Sequence, residues 1–365
     1  MRAGIIRMGL AFVSALVVIG SAPAQYRQQL LSNTTTGQVN ERGEEAIIHD
    51  EADFHAAGEE KAPIFEHHAD PFEDEGKETS FFWSVDYLFL KPRRRDLDFV
   101  IVDPINNGRP QGTIESADWE ARSGVRGGFG FRHANDWETG FYYTWLHSAS
   151  SNTQIAPLGG VLYATQTHPG TVEQVTTATA ATSLTYNLFD LEFSKRYEPT
   201  SGMRFRPFGG LRFARIDQNF IAIYNGGDAN FDTVSSLLEV QTAGFRAGAE
   251  GNWLLGWGFS LYARGAGSLL YGDFDSTFQE LNNSNVTTLS SVGEKFQKII
   301  PVMELAMGLA WKYRNLEISV GYEFINWFDL VDVPDFVDDV HQGKFIRRTS
   351  DLSLSGIAFR TRLGF

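Results

Sequence analysis

The last ten residues of the chain alternate between two kinds of side chain. One set of alternate positions holds Ile357, Phe359, Thr361, Leu363 and Phe365. The intervening positions hold glycine, alanine and the arginines Arg360 and Arg362. A period of two indicates a β-strand, with one face against an apolar medium and the other against polar groups. Any fold proposed for this chain must supply both surroundings.

The same alternation recurs in nine earlier segments, the first of which begins at Ser80. The others lie near 119–132, 137–145, 183–197, 203–213, 245–253, 257–271, 303–311 and 316–324. Long and short connections follow one another, which is typical of an up-and-down barrel. No segment after Gln25 is apolar for long enough to cross a bilayer as a helix. The pattern predicts an all-β, transmembrane, up-and-down antiparallel β-barrel of about ten strands.

Several details of this barrel follow from the pattern. The residues near 218–239, 272–298 and 328–350 are polar enough to predict long outer loops. Residues 98–102 and 161–165 either add strands within the outer loops or raise the barrel count to twelve. In the fourth strand Leu184, Tyr186 and Leu188 are out of phase with the apolar positions Phe189 and Leu191, which predicts a bulge.

The N-terminal part of the chain has a different character. Two arginines, an apolar run and the sequence APA at 22–24 indicate a secretory signal peptide at 1–24 that is removed on export. Residues 25–79 are rich in acids and poor in apolar side chains, which predicts a disordered acidic segment. The barrel then occupies residues 80–365. Export together with a barrel predicts a location in a bacterial-type outer membrane.

The eight tryptophans fall near predicted strand ends, as in the aromatic girdles of membrane barrels. We therefore expect them at the two membrane interfaces. They are Trp83, Trp119, Trp137, Trp145, Trp253, Trp257, Trp311 and Trp327.

Charged side chains occupy the face of the strands opposite the apolar one, so they are predicted to line a lumen. The arginines are Arg122, Arg126, Arg204, Arg206, Arg212, Arg246, Arg264, Arg360 and Arg362. The acids are Asp86, Glu120, Asp190, Glu192, Glu250, Glu304, Glu317 and Glu323. Such residues either form a constriction that filters solutes by size and charge or pair with one another and fill the barrel. Ten strands lie near the filled end of the known size range.

Other classes of function find little support. The chain has no cysteine and a formal net charge of −14, which argues against thiolate chemistry and nucleic-acid binding. Four histidines of the acidic segment, at 49, 55, 67 and 68, have irregular spacing, so no metal site is predicted. The polar residues Asp118, His147 and His341 have no spacing that defines a catalytic group, so neither an enzyme nor a cofactor is predicted.

Several short sequences resemble the Legionella-type pore-forming outer-membrane protein family. They are NLFDLEF at 187–193, RFRPFGGLR at 204–212, GFRAG at 244–248, SLLYG at 268–272 and the closing segment at 356–365. The resemblance covers roughly residues 80–365 and implies an outer-membrane barrel with proposed pore activity. The terminal Phe365 resembles the signal by which the barrel-assembly machinery recognises a last strand.

The predicted function is the passive passage of small solutes or ions. The alternative is a non-conducting structural or adhesive surface barrel with a charge-filled lumen. The predicted partners are outer-membrane lipid, lipopolysaccharide and the barrel-assembly machinery.

Overall fold

The structure is a computed structural model that describes residues 79–284, 286–338, 340 and 344–365. The predicted signal peptide and nearly all of the predicted acidic segment lie outside the described residues. Fifteen strands are present in the described part. In chain order they are β1 (Ser80–Arg93), β2 (Asp98–Asp103), β3 (Thr113–Ser116), β4 (Arg122–Arg132), β5 (Trp137–Ile155), β6 (Val161–Ala164), β7 (Gln174–Val175), β8 (Thr177–Lys195), β9 (Tyr197–Thr200), β10 (Met203–Gly226), β11 (Ala229–Gly256), β12 (Phe259–Asn282), β13 (Thr287–Tyr313), β14 (Leu316–Phe336) and β15 (Phe345–Gly364).

Ten of these strands form a closed antiparallel ring, in the order β1, β4, β5, β8, β10, β11, β12, β13, β14 and β15. The last strand pairs with the first, from Phe82 opposite Gly364 to Arg93 opposite Ser353. The backbone N–H of Phe365 also donates to the carbonyl of Phe81 at 2.8 Å. The ten-stranded up-and-down barrel predicted from the alternation is therefore confirmed. No helix long and apolar enough to cross a membrane occurs among the residues described.

The two faces of the ring strands differ as the sequence predicts. Aromatic and aliphatic side chains of alternate positions project outward and are exposed, as Phe129, Phe213 and Phe359 illustrate. This apolar band ends where outward positions become polar, for example at Arg215 on β10 and Asp273 on β12. A band of this kind matches the surface that a barrel turns toward lipid.

Four long strands continue well beyond the apolar band. β10 runs without interruption to Gly226 and β11 begins at Ala229, so the predicted loop near 218–239 is a paired hairpin instead. Its turn contains Gly226 and Gly227 at φ 79° and 63°, a backbone region that glycine adopts without steric cost. β12 and β13 likewise replace most of the predicted loop near 272–298. β14 and β15 continue into the third predicted loop, near 328–350, where they pair from Val331 to Phe336 and from Phe345 to Ser350.

A second, small sheet joins the connections at the same end of the barrel, which we call the long-hairpin end. Its strand order is β3, β2, β6 and β7. The segments at 98–102 and 161–165 thus form strands within the connections, and the ring count stays at ten. The opposite end, the short-turn end, carries the tight turns, the start of β1 and the end of β15.

The predicted bulge in the fourth ring strand is wrong. β8 pairs with β5 and with β10 in continuous register from Thr177 to its end. Leu184, Tyr186 and Leu188 point inward, on the same face as Asp190 and Glu192. The apparent change of phase arises because the interior changes from charged to apolar along the strand.

Candidate functional site

The lumen near the short-turn end is lined by charged side chains, and fourteen of them lie on nine of the ten ring strands. We call the fourteen residues below the lumen cluster. Alternation carries each inward, because positions two apart on a strand share a face. The cluster comprises Arg126, Arg206, Arg212, Arg246, Arg264, Arg360 and Arg362 with Asp86, Asp190, Glu192, Glu250, Glu304, Glu317 and Glu323.

Glu192 is the centre of one part of the lumen cluster. Its carboxylate accepts hydrogen bonds from Arg206 at 2.8 Å, Arg246 at 2.9 Å and Arg264 at 2.8 Å. Arg206 also donates to Glu250 at 3.2 Å. Only 3% of the Glu192 side chain is exposed, so these contacts replace nearly all of its hydration.

A second group joins strands on both sides of the ring closure. Arg126 on β4 donates to Asp86 on β1 at 3.0 Å and to both carboxylate oxygens of Glu323 on β14, at 3.0 and 2.9 Å. Arg360 on β15 donates to Asp86 at 3.0 Å. The bidentate pairing fixes the guanidinium plane as well as its position.

A third group lies across the lumen from the second. Arg212 forms a bidentate pair with Asp190, at 2.7 and 2.8 Å, and also contacts Glu304. Arg246 donates to Glu304 at 2.7 Å and therefore links this group to Glu192. The first and third groups thus form one connected network of charge-assisted hydrogen bonds.

Two properties of the lumen cluster limit what it can do. Its seven arginines and seven carboxylates cancel in formal charge, so these fourteen residues have no net charge with which to select ions of one sign. The free volume among the side chains is about 60 Å³, which holds a few water molecules but no larger solute.

Three predicted lumen residues, Arg122, Glu120 and Arg204, lie outside the lumen cluster. Arg122 is about half exposed and pairs with Glu120 at 2.9 Å, where β4 begins. Arg204 pairs with Glu198 of β9 at 2.8 Å, at the short-turn end. Sequence reasoning also missed Glu138, which accepts from Arg362 at 3.1 Å. The alternation of β5 was the available signal, because it turns Glu138 inward when the adjacent Thr139 faces outward.

A buried apolar layer fills the lumen beyond the lumen cluster, toward the long-hairpin end. It includes Leu88, Leu146, Leu184, Ile216, Val240, Leu270, Ile300, Trp327 and Leu354. The rings of Tyr186 and Trp327 meet edge to face, with centroids 5.9 Å apart. The interior is therefore closed at two successive levels by the described side chains.

Two tryptophans assigned to a membrane interface belong to this interior instead. Trp119 is 2% exposed and Trp327 is fully buried. The prediction placed both at outer strand ends, but the barrel continues past the apolar band and encloses them. Trp83, Trp137, Trp145, Trp253 and Trp257 are exposed, and Trp311 is half-buried against Tyr313.

Two buried acids lie beneath the hairpin tips at the long-hairpin end. Glu280 accepts hydrogen bonds from the backbone N–H of His168 and the hydroxyl of Thr171, both at 2.7 Å. Neither carboxylate oxygen of Asp232 has a hydrogen-bond partner among the described residues. Burial, and then the charge of Glu280, raise the pKa of Asp232 to about 7. No group of three or more His, Cys, Asp or Glu side chains suited to a metal occurs in the described part of the chain.

Comparison with known proteins identifies the family. The family described as the Legionella pneumophila major outer membrane protein precursor matches residues 76–365. The chain belongs to this family. Membership confirms the resemblance noted in the sequence and the location in the bacterial outer membrane.

Other comparisons are more distant. The outer membrane protease OmpT from Escherichia coli is 12% identical, with a TM-score of 0.45 over 78% of this chain and 97% of that one. The Pseudomonas putida toluene transporter TodX is 9% identical, with a TM-score of 0.24 over 81% and 91%. A channel of Acinetobacter baumannii, DcaP, is 8% identical, with a TM-score of 0.15 over 79% and 96%. No curated protein matches the chain.

Proposed function

We propose that this family member is a non-conducting outer-membrane barrel that fixes an extended β-structure at the cell surface. The observation that carries the proposal is the filled lumen. The lumen cluster leaves about 60 Å³ of free volume, and a buried apolar layer lies directly beyond it. A solute entering from either end meets one of these layers.

Opening the charged layer carries a large energetic cost. Glu192 has three arginine partners, and each of its bonds would leave a buried charge if it were broken. Removing one partner of a buried ion pair typically costs about 3–5 kcal/mol. A path wide enough for a hydrated ion requires several such losses at once, which favours a lumen that stays closed at rest.

The long-hairpin end supports the second half of the proposal. A barrel strand needs about 9–11 tilted residues to cross the bilayer, whereas β11 has 28 and β13 has 27. Bacterial barrels carry their short turns on the periplasmic side. The parts of β11 and β13 beyond the apolar band, which ends at Gln241 and Gln297 beside Asp273, therefore extend outside the cell, where they can contact other surfaces.

Conductance in planar bilayers tests the closed lumen. We expect no discrete steps from the folded full-length protein at moderate voltage, whereas a general porin reconstituted by the same procedure conducts. Insertion is checked by heat-dependent mobility in gels, which separates folded from unfolded barrels. Reproducible steps that disappear when the protein is denatured before reconstitution would overturn the proposal.

The passage of solutes predicted from the sequence remains a second candidate, and one observation favours it. At the long-hairpin end the outer part of β13 is paired with β12 but not with β14, so the barrel wall is incomplete there. If steps are observed, Arg206→Glu and Arg246→Glu should change their ion preference, because both side chains lie in the lumen cluster. The exposed Arg122→Glu is the matched control and should change it little.

A further inference from the structure

The outer part of β13 presents an unpaired edge. Pairing between β13 and β14 begins at Val302 opposite Trp327 and continues only toward the short-turn end. From Thr287 to Pro301, β13 has β12 on one side and no described strand on the other. We call this segment the open edge. Unpaired N–H and C=O groups along a strand readily accept another strand.

β14 leaves the barrel wall where the open edge begins. Its register against β15 shifts between Trp327 and Val331, and Asp329 within this break has a positive φ of 49°. Beyond the break, Val331–Phe336 of β14 pairs with Phe345–Ser350 of β15. We call this pair of segments the tucked hairpin.

The β14 half of the tucked hairpin packs against the barrel interior, whereas Phe345 and Ile346 of its β15 half are exposed. The ring of Phe336 lies 5.7 Å from that of Phe278, an inward residue of β12, and 4.5 Å from that of His168. Leu330 and Val331 are fully buried. The hydroxyl of Ser350 donates to Asp96 at 2.9 Å. The hairpin therefore covers the apolar layer from the long-hairpin end.

The contacts that join the tucked hairpin and the preceding break to the open edge are made by partly exposed side chains. Lys298 donates to the carbonyl of Asp329 at 2.9 Å. Arg347 forms an ion pair with Glu294, and its guanidinium lies 5.3 Å from the centre of the Phe296 ring. Exposed ion pairs contribute about 0–1 kcal/mol, so they allow the hairpin to move.

The register of the wall supplies a second place for the same strand. Suppose that β14 continued past Trp327 without its shift. Because the two strands are antiparallel, each further residue of β14 would then pair with the preceding residue of β13, starting from Trp327 opposite Val302. Phe336 would then lie opposite Gly293, within the open edge. The alternation would also turn Leu330 and Phe336 outward, because Ile325 and Trp327 point inward.

We propose that the tucked hairpin exchanges between this inward position and a wall position paired with the open edge. In the wall position β14 completes the sheet and uncovers the apolar layer. The exchange concerns the mouth of the barrel, and the lumen cluster beneath it can stay closed in both positions. Its test is therefore independent of bilayer conductance.

Disulfide trapping tests the exchange, because the natural chain contains no cysteine. Phe336→Cys with Phe278→Cys reports the inward position, and Phe336→Cys with Gly293→Cys reports the wall position. A side chain fits at Gly293, where an added Cβ would meet nothing closer than 4.0 Å. The register control is Val337→Cys with Gly293→Cys, since a shift of one residue reverses the face. We expect both Phe336→Cys pairs to cross-link and the control to remain reduced.

A single-cysteine measurement keeps Phe336 in place. Leu330→Cys should react with a membrane-impermeant thiol reagent about ten-fold faster than Leu270→Cys, because the wall position turns residue 330 outward whereas residue 270 stays on the inward face of β12 in both positions. Leu270 is equally buried but lies on β12 beneath the hairpin. Equal rates, or trapping of the inward pair alone, would overturn the proposal. So would equal trapping with the register control, or cross-links between two chains, which would assign the open edge to a second copy.

Discussion

At the scale of single residues, Asp232 is the side chain whose surroundings fit its charge least. It is fully buried, its carboxylate oxygens have no described partner, and the charge of Glu280 opposes its ionisation. Its pKa is raised from 3.8 to about 7, so the folded protein holds a proton that the unfolded chain releases. The stability that this protonation supplies is full below about pH 4 and is lost as the pH rises through 7.

Asp232→Asn should remove this dependence. We expect the wild-type unfolding midpoint to fall between about pH 4 and about pH 8, and the fall to be smaller in Asp232→Asn because the amide does not titrate. Heat unfolding in detergent followed by tryptophan fluorescence measures it. Asp273→Asn, at an exposed outward position of β12, is the control and should retain the wild-type fall. The same fall in Asp232→Asn would show that other groups cause it.

At the scale of secondary-structure elements, the residue that follows the closing strand β15 is not explained by packing. Phe365 follows it, and its backbone N–H bonds to Phe81 while its side chain is 65% exposed. The ring therefore contributes little to the folded interior. We propose that it serves instead in recognition during assembly.

Phe365→Ala should lower the amount of folded protein in the outer membrane without impairing refolding into detergent micelles. Phe365→Tyr keeps an aromatic end and should assemble normally. Cell fractionation and heat-dependent gel mobility measure the first effect, and refolding yield measures the second. An equal loss in both assays would indicate a stability role instead of recognition by the assembly machinery.

The elements also show which features a sequence pattern can predict. Ten ring strands follow from alternation because lipid demands apolar outward positions at every crossing. The outer halves of β10 to β13 escape this reasoning, since outward residues such as Arg215 and Asp273 become polar while inward ones such as Phe220 and Phe274 become apolar. The alternation keeps its period of two in these outer halves, but the apolar side chains now face inward and the polar ones outward. The polar outward positions therefore predict loops, and the same reasoning places Trp119 and Trp327 at the membrane interfaces.

The candidate site was predictable to a similar depth. Alternation identifies every member of the lumen cluster, because the inward face of each strand is fixed by its register. The pairing of those residues depends on how the strands stagger around the ring, which the sequence of single strands does not contain. That Arg126 on β4 binds Glu323 on β14 is a property of the closed barrel.

At the scale of the whole molecule, the lumen cluster connects strands that are distant in sequence. Glu192 on β8 binds arginines from β10, β11 and β12, and Arg246 continues the network to Glu304 on β13. Backbone pairing joins each strand only to its neighbours. The charged network therefore links strands that are not neighbours in the ring. Its loss should lower the unfolding free energy of the whole barrel.

Glu192→Gln tests this role. It leaves Arg206, Arg246 and Arg264 without their shared charge, and we expect a loss of about 3–5 kcal/mol in unfolding free energy. Denaturant unfolding in detergent measures it, with Glu120→Gln, from the exposed pair with Arg122, expected within about 0.5 kcal/mol of wild type. In the double variant with Arg264→Met, the loss should be smaller than the sum of the single losses, since one unpaired cation is also removed. Strictly additive losses would mean that Glu192 and Arg264 act independently.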